Sequence, residues 1–498
     1  MRIHVVRIAI VSVIVTAFAF INISPFITNQ PDVMTTAAHL VENDDNRSFG
    51  IESQSKPGPN YEPRYNLSTS LIAGSIPFGC AALFNATSTP PLNFTHAAEW
   101  LYRTKITDLL WIEMAENCAV LPELNANLRS STSNDDDNDY PLAFTVVVDQ
   151  RLEQWARLLA TIYHPSNIYC IVVDDKVADA VTKLVLSSLI KCHDNIVTPK
   201  QRHEIYWGHY SILRAIMGCL ETLRPFDWRY VQILSGNDVP LKSIAEMVQI
   251  LKQLRNTQDS SLVDNLEKQR WMHPNYFVPG SCPDKIPAKW RTLYRERVRN
   301  GYWISNLTHI RMPPHGLTAT KGSYANSLTH DFVDYLFTSR VARDYYIWVN
   351  ETFVPDELYF PTLIHSDWSA PGAYPDALRC KGYWKRRGIS KPWISRYDVW
   401  NRAKCGGKIV RYGCVFGVRD LPRLIRAPHL FAHKVYLDYE PATFFCQLSV
   451  IEQRNQPPGL RSQFWDSPEL NLTYYANLPA VVYSQMTNEE KEEFPCGV

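Results

Sequence analysis

The chain has 498 residues, 45% hydrophobic, 20% charged and 12% aromatic, a balance that excludes a disordered or collagen-like protein. Its 51 Lys+Arg against 50 Asp+Glu leave a net charge of +1, which argues against a nucleic-acid binder that neutralises many phosphates but leaves room for a local basic patch. The length suits one large domain with appendages, or two or three smaller ones.

At the N-terminus, Arg2 and Arg7 precede an uncharged apolar run over residues 8–23. Two readings stay open. Ala17-Phe18-Ala19 resembles the cleavage site of a secretory signal; the basic flank and the length of the run suit a signal anchor with its N-terminus in the cytoplasm. Both deliver the remainder to the secretory lumen. N-x-S/T sequons at Asn46, Asn66, Asn85, Asn93, Asn306, Asn350 and Asn471 agree with that compartment, and four of them crowd a Pro-, Ser- and Thr-rich stretch that reads as a glycosylated stem. The expected layout is a tail and anchor over 1–24, a stem over 25–95, a lumenal domain over 96–455 and a C-terminal tail over 456–498, read as peripheral.

Residues 96–128 have a helical, partly apolar texture, and the acidic run Asp135-Asp136-Asp137 reads as a solvated linker rather than a metal site. From Tyr140 the pattern changes. Leu142 to Val148 is a continuous apolar, β-branched strand of the doubly buried kind. A helix follows on Leu152, Trp155, Leu158, Leu159 and Ile162, then a second buried strand, Ile168 to Val173, ending on Asp174-Asp175-Lys176. Such a βαβ unit makes its strands parallel. Helices at 178–190 and 209–223, a strand at 230–234 and a capping box on Ser243 and Glu246 continue an α/β order, in which ligands sit at the strands' carboxyl ends. Those ends fall at Val148-Asp149, Asp174 and Asp238.

Several positions have two readings. Asp174 and Asp175 either bond a base or ribose, or cap the strand. Trp207, before a helix start, either stacks on a base or packs in the core. Pro355-Asp356-Glu357 reads as a helix cap. No Asp-x-Asp follows a strand, as a metal-dependent nucleotide-sugar enzyme would require, and His203/His209 and His429/His433 lack a third zinc ligand, so no metal is expected. Residues 376–434 are rich in Lys and Arg, which suits either an anion site or a solvated face. Eleven cysteines, dispersed without a CxxC cluster, favour disulfides, and the odd count leaves at least one thiol over.

The ordered set FTVVVDQRLEQWARLLATIYHPSNIYCIVVDDK (144–176), WGHYSILRA (207–215), YVQILSGNDVPLKS (230–243), KGSYANSLTHDFVDYL (321–336), VPDELYFPTL (354–363) and VRYGCVFGVRDLPRLIRAPHLFAHKVYLD (410–438) resembles the core-2/I-branching β-1,6-N-acetylglucosaminyltransferase family (glycosyltransferase family 14), to which peptide O-xylosyltransferases are related. The resemblance implies an α/β, GT-A-like domain with a mixed, mainly parallel sheet, in a single-pass type II Golgi membrane protein. It implies inverting transfer of GlcNAc from UDP-GlcNAc to an O-glycan core such as Galβ1-3GalNAc, without a cofactor or divalent metal. By position, Glu357 matches the catalytic base, and Arg411 and Lys434 the pair that holds the diphosphate. Val147, Val148, Asp149, Asp174, Asp175, Lys176 and Trp207 match donor-binding positions. Lys289, Tyr383 and Trp384 match acceptor contacts loosely, and Cys80–Cys446, Cys118–Cys192, Cys170–Cys219 and Cys405–Cys414 match disulfides, leaving Cys282, Cys380 and Cys496. The family usually has His at 149 and commonly Asn at 433. The implied partners are a UDP-sugar, a glycoprotein O-glycan and the Golgi membrane, with a homodimer left open and no nucleic acid. Glucose or xylose as the donor sugar, another acceptor, and a lumenal glycan-binding protein without turnover are the alternatives.

Overall fold

A computed structural model describes residues 67–74, 79–85, 105–129, 139–148, 151–176, 179–202, 204–262, 313–350, 352, 354–375, 377–389, 392–400, 402–455 and 470–493. Its strands, in chain order, are β1 (Leu142–Val148), β2 (Ile168–Val173), β3 (Ile196–Val197), β4 (Tyr230–Ser235), β5 (Asp238–Pro240), β6 (Ser327–Thr329), β7 (Arg396–Asp398), β8 (Lys408–Val410), β9 (Gly413–Val415) and β10 (Phe431–His433).

The principal sheet has the order β3-β2-β1-β4-β6. β1 to β4 are mutually parallel, and β6 closes one edge antiparallel to β4 through Tyr230↔Thr329. Side chains alternate across the sheet as the two-residue period demands. Phe144, Val146, Val148, Tyr169 and Ile171 enter one core with Trp155 and Leu159, while Ala143, Cys170 and Val172 enter the other with Leu213 and Phe360. A sheet covered on both faces reads as unbroken apolar runs, which is why β1 and β2 are visible in the sequence. The mixed, mainly parallel α/β architecture agrees with the sequence reading. β3 and β6, two and three residues long, escape it because so short a run carries no periodicity.

Two smaller sheets build the site. β10 lies between β5, antiparallel, and β7, parallel; β8 and β9 form a hairpin. Helix Ile244–Gln253 opens with the expected box, Ser243 Oγ accepting from Glu246 N and Glu246 accepting from Ser243 N.

Disulfides join Cys80–Cys446, Cys118–Cys192, Cys170–Cys219 and Cys405–Cys414 with Cα–Cα spans of 5.4 to 5.6 Å, the same four pairs that the resemblance implies. Cys380 is also disulfide-bonded.

Two segments differ from the sequence reading. Helices Thr69–Gly74 and Gly79–Asn85, inside the expected stem, bury Ile72, Cys80, Leu83 and Phe84 against Phe444, Phe445 and Leu448. The tail is not peripheral: Tyr475, Leu478 and Val481 enter the main core beside helix Ile244–Gln253. In each case a few large side chains in a polar stretch supply the packing, below what a composition argument detects. Among the described residues no helix is long and apolar enough to cross a membrane; residues 1–24 lie outside them.

Candidate active site

Glu357 sits in the first turn of helix Asp356–Ser366, whose start is set by Pro355. The preceding Val354 has φ 53°, a left-handed conformation that costs a β-branched residue, and its N–H donates to Gly208 O at 3.1 Å. The loop of Trp207 is thereby tied to the start of the Glu357 helix. Trp207 itself is 47% exposed.

Inside that helix stands Pro361, whose missing N–H is the one that would bond the carbonyl four residues earlier, Glu357 O. Gly322 N takes that carbonyl at 2.9 Å. A side chain at 322 is excluded: a Cβ there would lie 2.0 Å from Ser261 O and 2.7 Å from Pro361 Cγ. The close approach brings in Lys321, whose Nζ lies 2.7 Å from Glu357 Oε2 with both side chains largely buried. Neighbouring Asp356 is fully buried, and burial together with the Glu357 charge pushes its carboxyl well above the ordinary range. Lys321 stands in a motif quoted above, but nothing in the sequence assigns it to Glu357, because the pairing crosses 36 residues of chain.

The cationic side is assembled around Lys434, immediately after β10. Fully buried Gln154 staples this segment to the β4–β5 turn: its Nε2 donates to Gly236 O at 3.0 Å and Val435 O at 3.0 Å, and its Oε1 accepts from Leu437 N at 3.0 Å. Lys434 Nζ donates to Val410 O at 3.0 Å, below the β8–β9 hairpin. The two-residue turn of that hairpin is Arg411-Tyr412, with φ of 51° and 68°, so two side-chain-bearing residues hold the left-handed conformations that glycine and asparagine usually supply. Cys405–Cys414 ties the hairpin down, and Arg411 is exposed at its tip. Burial, and then the like charges of Arg411, Arg151 and Arg396, hold the Lys434 amine down at about 8. Arg151 and Lys434 share the ring of Tyr436, at 4.3 and 5.6 Å from its centroid. Crowded cations of this kind make an anion site.

Between the two halves lies buried Arg396 at the start of β7. It donates to Ser323 Oγ at 2.8 Å, covers the Tyr324 ring at 4.5 Å and faces Asp238 at 3.9 Å. Its charge acts on both Asp356 and Lys434. Arg396 was only one member of a basic stretch in the sequence; its burial singles it out.

Among donor positions, Val147 and Val148 end β1 at the switch between β2 and β4, and Gly236 N donates to Val147 O at 2.9 Å. Asp174 is buried and engaged: Lys176 Nζ lies 2.5 Å from Oδ2, while Lys176 N and Ile205 N donate to Oδ1 at 3.1 and 3.0 Å. It fastens the 204–206 loop to β2, the capping role. Lys176 also donates to Ile205 O, and Asp175 pairs loosely with Arg202 at 3.5 Å. Asp149 and Lys289 lie outside the described residues, as do Asn46, Asn66, Asn93 and Asn306.

Trp384, read as an acceptor contact, is buried beside Tyr374, Cys380 and Tyr483, with its Nε1 donating to Tyr374 Oη at 2.9 Å; the ring is packing. Tyr383 is covered by Arg387 at 3.7 Å. Asn85 is the last residue of helix Gly79–Asn85, Asn350 is the C-cap of helix Arg340–Val349, and exposed Asn471 caps helix Leu472–Ala476 by accepting from Tyr474 N at 3.2 Å.

A sequence profile described as Core-2/I-branching enzyme matches residues 142–425, more than half of the chain, from β1 to just short of β10. The chain belongs to the Core-2/I-branching enzyme family. It is thereby a glycosyltransferase. Among relatives, it is 29% identical over 322 residues to a human N-acetyllactosaminide β-1,6-N-acetylglucosaminyl-transferase, covering 64% of this chain and 73% of that one. It is 30% identical over 331 residues to a human probable β-1,3-galactosyl-O-glycosyl-glycoprotein β-1,6-N-acetylglucosaminyltransferase 7, covering 66% and 70%. The mouse transferase 4 of the same description is 28% identical over 412 residues, 80% of this chain and 86% of its own.

Proposed function

We propose that this protein transfers GlcNAc from UDP-GlcNAc, with inversion and without a metal, to the 6-hydroxyl of an O-glycan core of the Galβ1-3GalNAc type. The reading includes a GT-A-like lumenal domain over 96–455, an anchor over 1–24 and a Golgi location. The observation that carries it is the pairing of Glu357 with Lys321 on one side of Arg396, with the Arg411–Lys434 cation cluster on the other.

In the reaction, Glu357 removes the proton of the acceptor hydroxyl as that oxygen attacks the anomeric carbon from the face opposite UDP. Lys321 holds one carboxylate oxygen and leaves the other for the acceptor. Arg411 and Lys434, with Arg151 beside them, meet the charge that grows on the departing diphosphate, work that a divalent ion would otherwise do. The uridine lies over the ends of β1 and β2, within reach of the exposed Trp207 ring.

Absence of a metal requirement is supported by how the carboxylates are already used. Asp174 is held by Lys176, and Asp238 by His433 and Ser235 N. Among the described residues the single cluster with metal-binding spacing is Cys405, Cys414 and Asp420, whose sulfurs form a disulfide. Assays of the purified chain with UDP-GlcNAc and Galβ1-3GalNAc should show turnover in EDTA and a β-1,6 linkage in the product. Strict dependence on manganese would overturn the cation mechanism. A panel of UDP-sugars, with UDP-glucose and UDP-xylose in it, tests the donor; UDP binding without turnover on any donor would leave a glycan-binding protein.

A further inference from the structure

One polar pair beside the diphosphate site has no part in the roles above. His433 ends β10 and is paired in register with Asp238 on β5 and with Asp398 on β7. Its Nδ1 lies 2.7 Å from Asp238 Oδ1. Asp238 is fully buried, accepts from Ser235 N at 2.7 Å and faces Arg396 at 3.9 Å. A carboxylate so placed accepts the Nδ1 hydrogen, which makes Nε2 of the neutral ring a bare acceptor. Nε2 has no partner among the described residues, and the side chain keeps 21% of its exposure.

The charges around the ring decide what that nitrogen can take. Asp238 favours a proton on it; burial, Arg396 and Lys434 oppose one, and together they hold His433 below the ordinary histidine value. A bare imidazole nitrogen has nothing to offer a phosphate oxygen, which carries no hydrogen. It accepts from a hydroxyl.

In a nucleotide sugar, hydroxyls flank the diphosphate on both sides, the ribose and the glycosyl ring. The uridine side faces β1 and β2. His433 instead adjoins Asp238 and Arg396, and the Arg396 charge reaches Asp356 beside the base. We infer that His433 Nε2 accepts a hydrogen bond from a hydroxyl of the donor's glycosyl ring, and that Asp238 positions the imidazole for it, so that the pair holds the sugar half of the donor. The inference rests on the nucleotide-sugar reading of the site above.

The test compares UDP with UDP-GlcNAc, UDP-glucose and UDP-xylose as ligands of the full chain and of His433→Phe and His433→Gln, by calorimetry and by KM and kcat. UDP should bind all three proteins within about twofold. His433→Phe should bind UDP-GlcNAc about tenfold more weakly, the cost of one neutral hydrogen bond, and the loss should extend to every UDP-sugar that keeps the hydroxyl. His433→Gln, whose amide oxygen still accepts, should recover most of the loss. Equal weakening toward UDP and UDP-GlcNAc, or unchanged affinity of His433→Phe for every UDP-sugar, would overturn the inference. Should the Phe variant fail to fold, His433→Leu is read in the same way. Failure of the unaltered chain to bind UDP would sink the proposed function itself, and the inference with it, before any variant is made.

Discussion

Glu357 and Lys434 do opposite jobs with opposite electrostatics. Glu357 has a cation against one oxygen, whereas Lys434 is surrounded by cations. Replacing Glu357 by Gln keeps the shape and removes the base, so kcat should fall by about 10³-fold with little change in KM for UDP-GlcNAc, read by steady-state kinetics. Lys434 answers to pH. Burial and like charges set its amine near 8, so it is charged below that pH and loses its charge above it. A bound diphosphate favours the charged form, so UDP affinity should be steady from pH 6 to 7.5 and then decline by up to about tenfold per pH unit above 8. Calorimetry across that range checks this, and Lys434→Arg, which stays charged, should abolish the decline.

At the scale of elements, the Glu357 helix is placed by an exchange of hydrogen bonds. Pro361 withholds the N–H that would bond Glu357 O, and Gly322 supplies one from another segment. Pro361→Ala restores a competing donor inside the helix. It should leave the melting temperature equal or higher while lowering kcat several-fold, because Lys321 is no longer drawn against the carboxylate. Gly322→Ala drives a Cβ into Ser261 O and should cost about 2–4 kcal/mol, measured by denaturant unfolding. These elements also mark how far the sequence can be read. β1, β2, β4 and the capped helix after β5 announce themselves because burial on both faces and capping chemistry are local. Glu357, Arg411 and Lys434 were legible through motifs in order. Lys321, Gln154, Arg396 and the His433–Asp238 pair were not, because each acts through a partner 36 or more positions away, and a buried arginine looks in sequence like any other. Trp384, buried in a small cluster, was ambiguous for the complementary reason: an aromatic beside a basic run suits a binding face and a satellite core equally well.

Across the whole molecule, the segment at 67–85 belongs to the folded unit. Helix Thr69–Gly74 lies on helix Pro441–Arg454, and Cys80–Cys446 joins residues 366 apart. By the chain-entropy account, removing so long a closure costs about 6 kcal/mol, an upper figure, so Cys80→Ser should lower stability by several kcal/mol in denaturant titrations. The same bond governs how such an enzyme could be shed. A protease that cuts between residues 86 and 104 divides the chain, yet both fragments stay joined through Cys80–Cys446 until a reductant arrives. On a non-reducing gel the cut protein should run as one species, and on a reducing gel as two. If the proposed anchor over 1–24 holds the protein, release requires a cut ahead of Cys80, and in an oxidising compartment a cut after it leaves the tether in place.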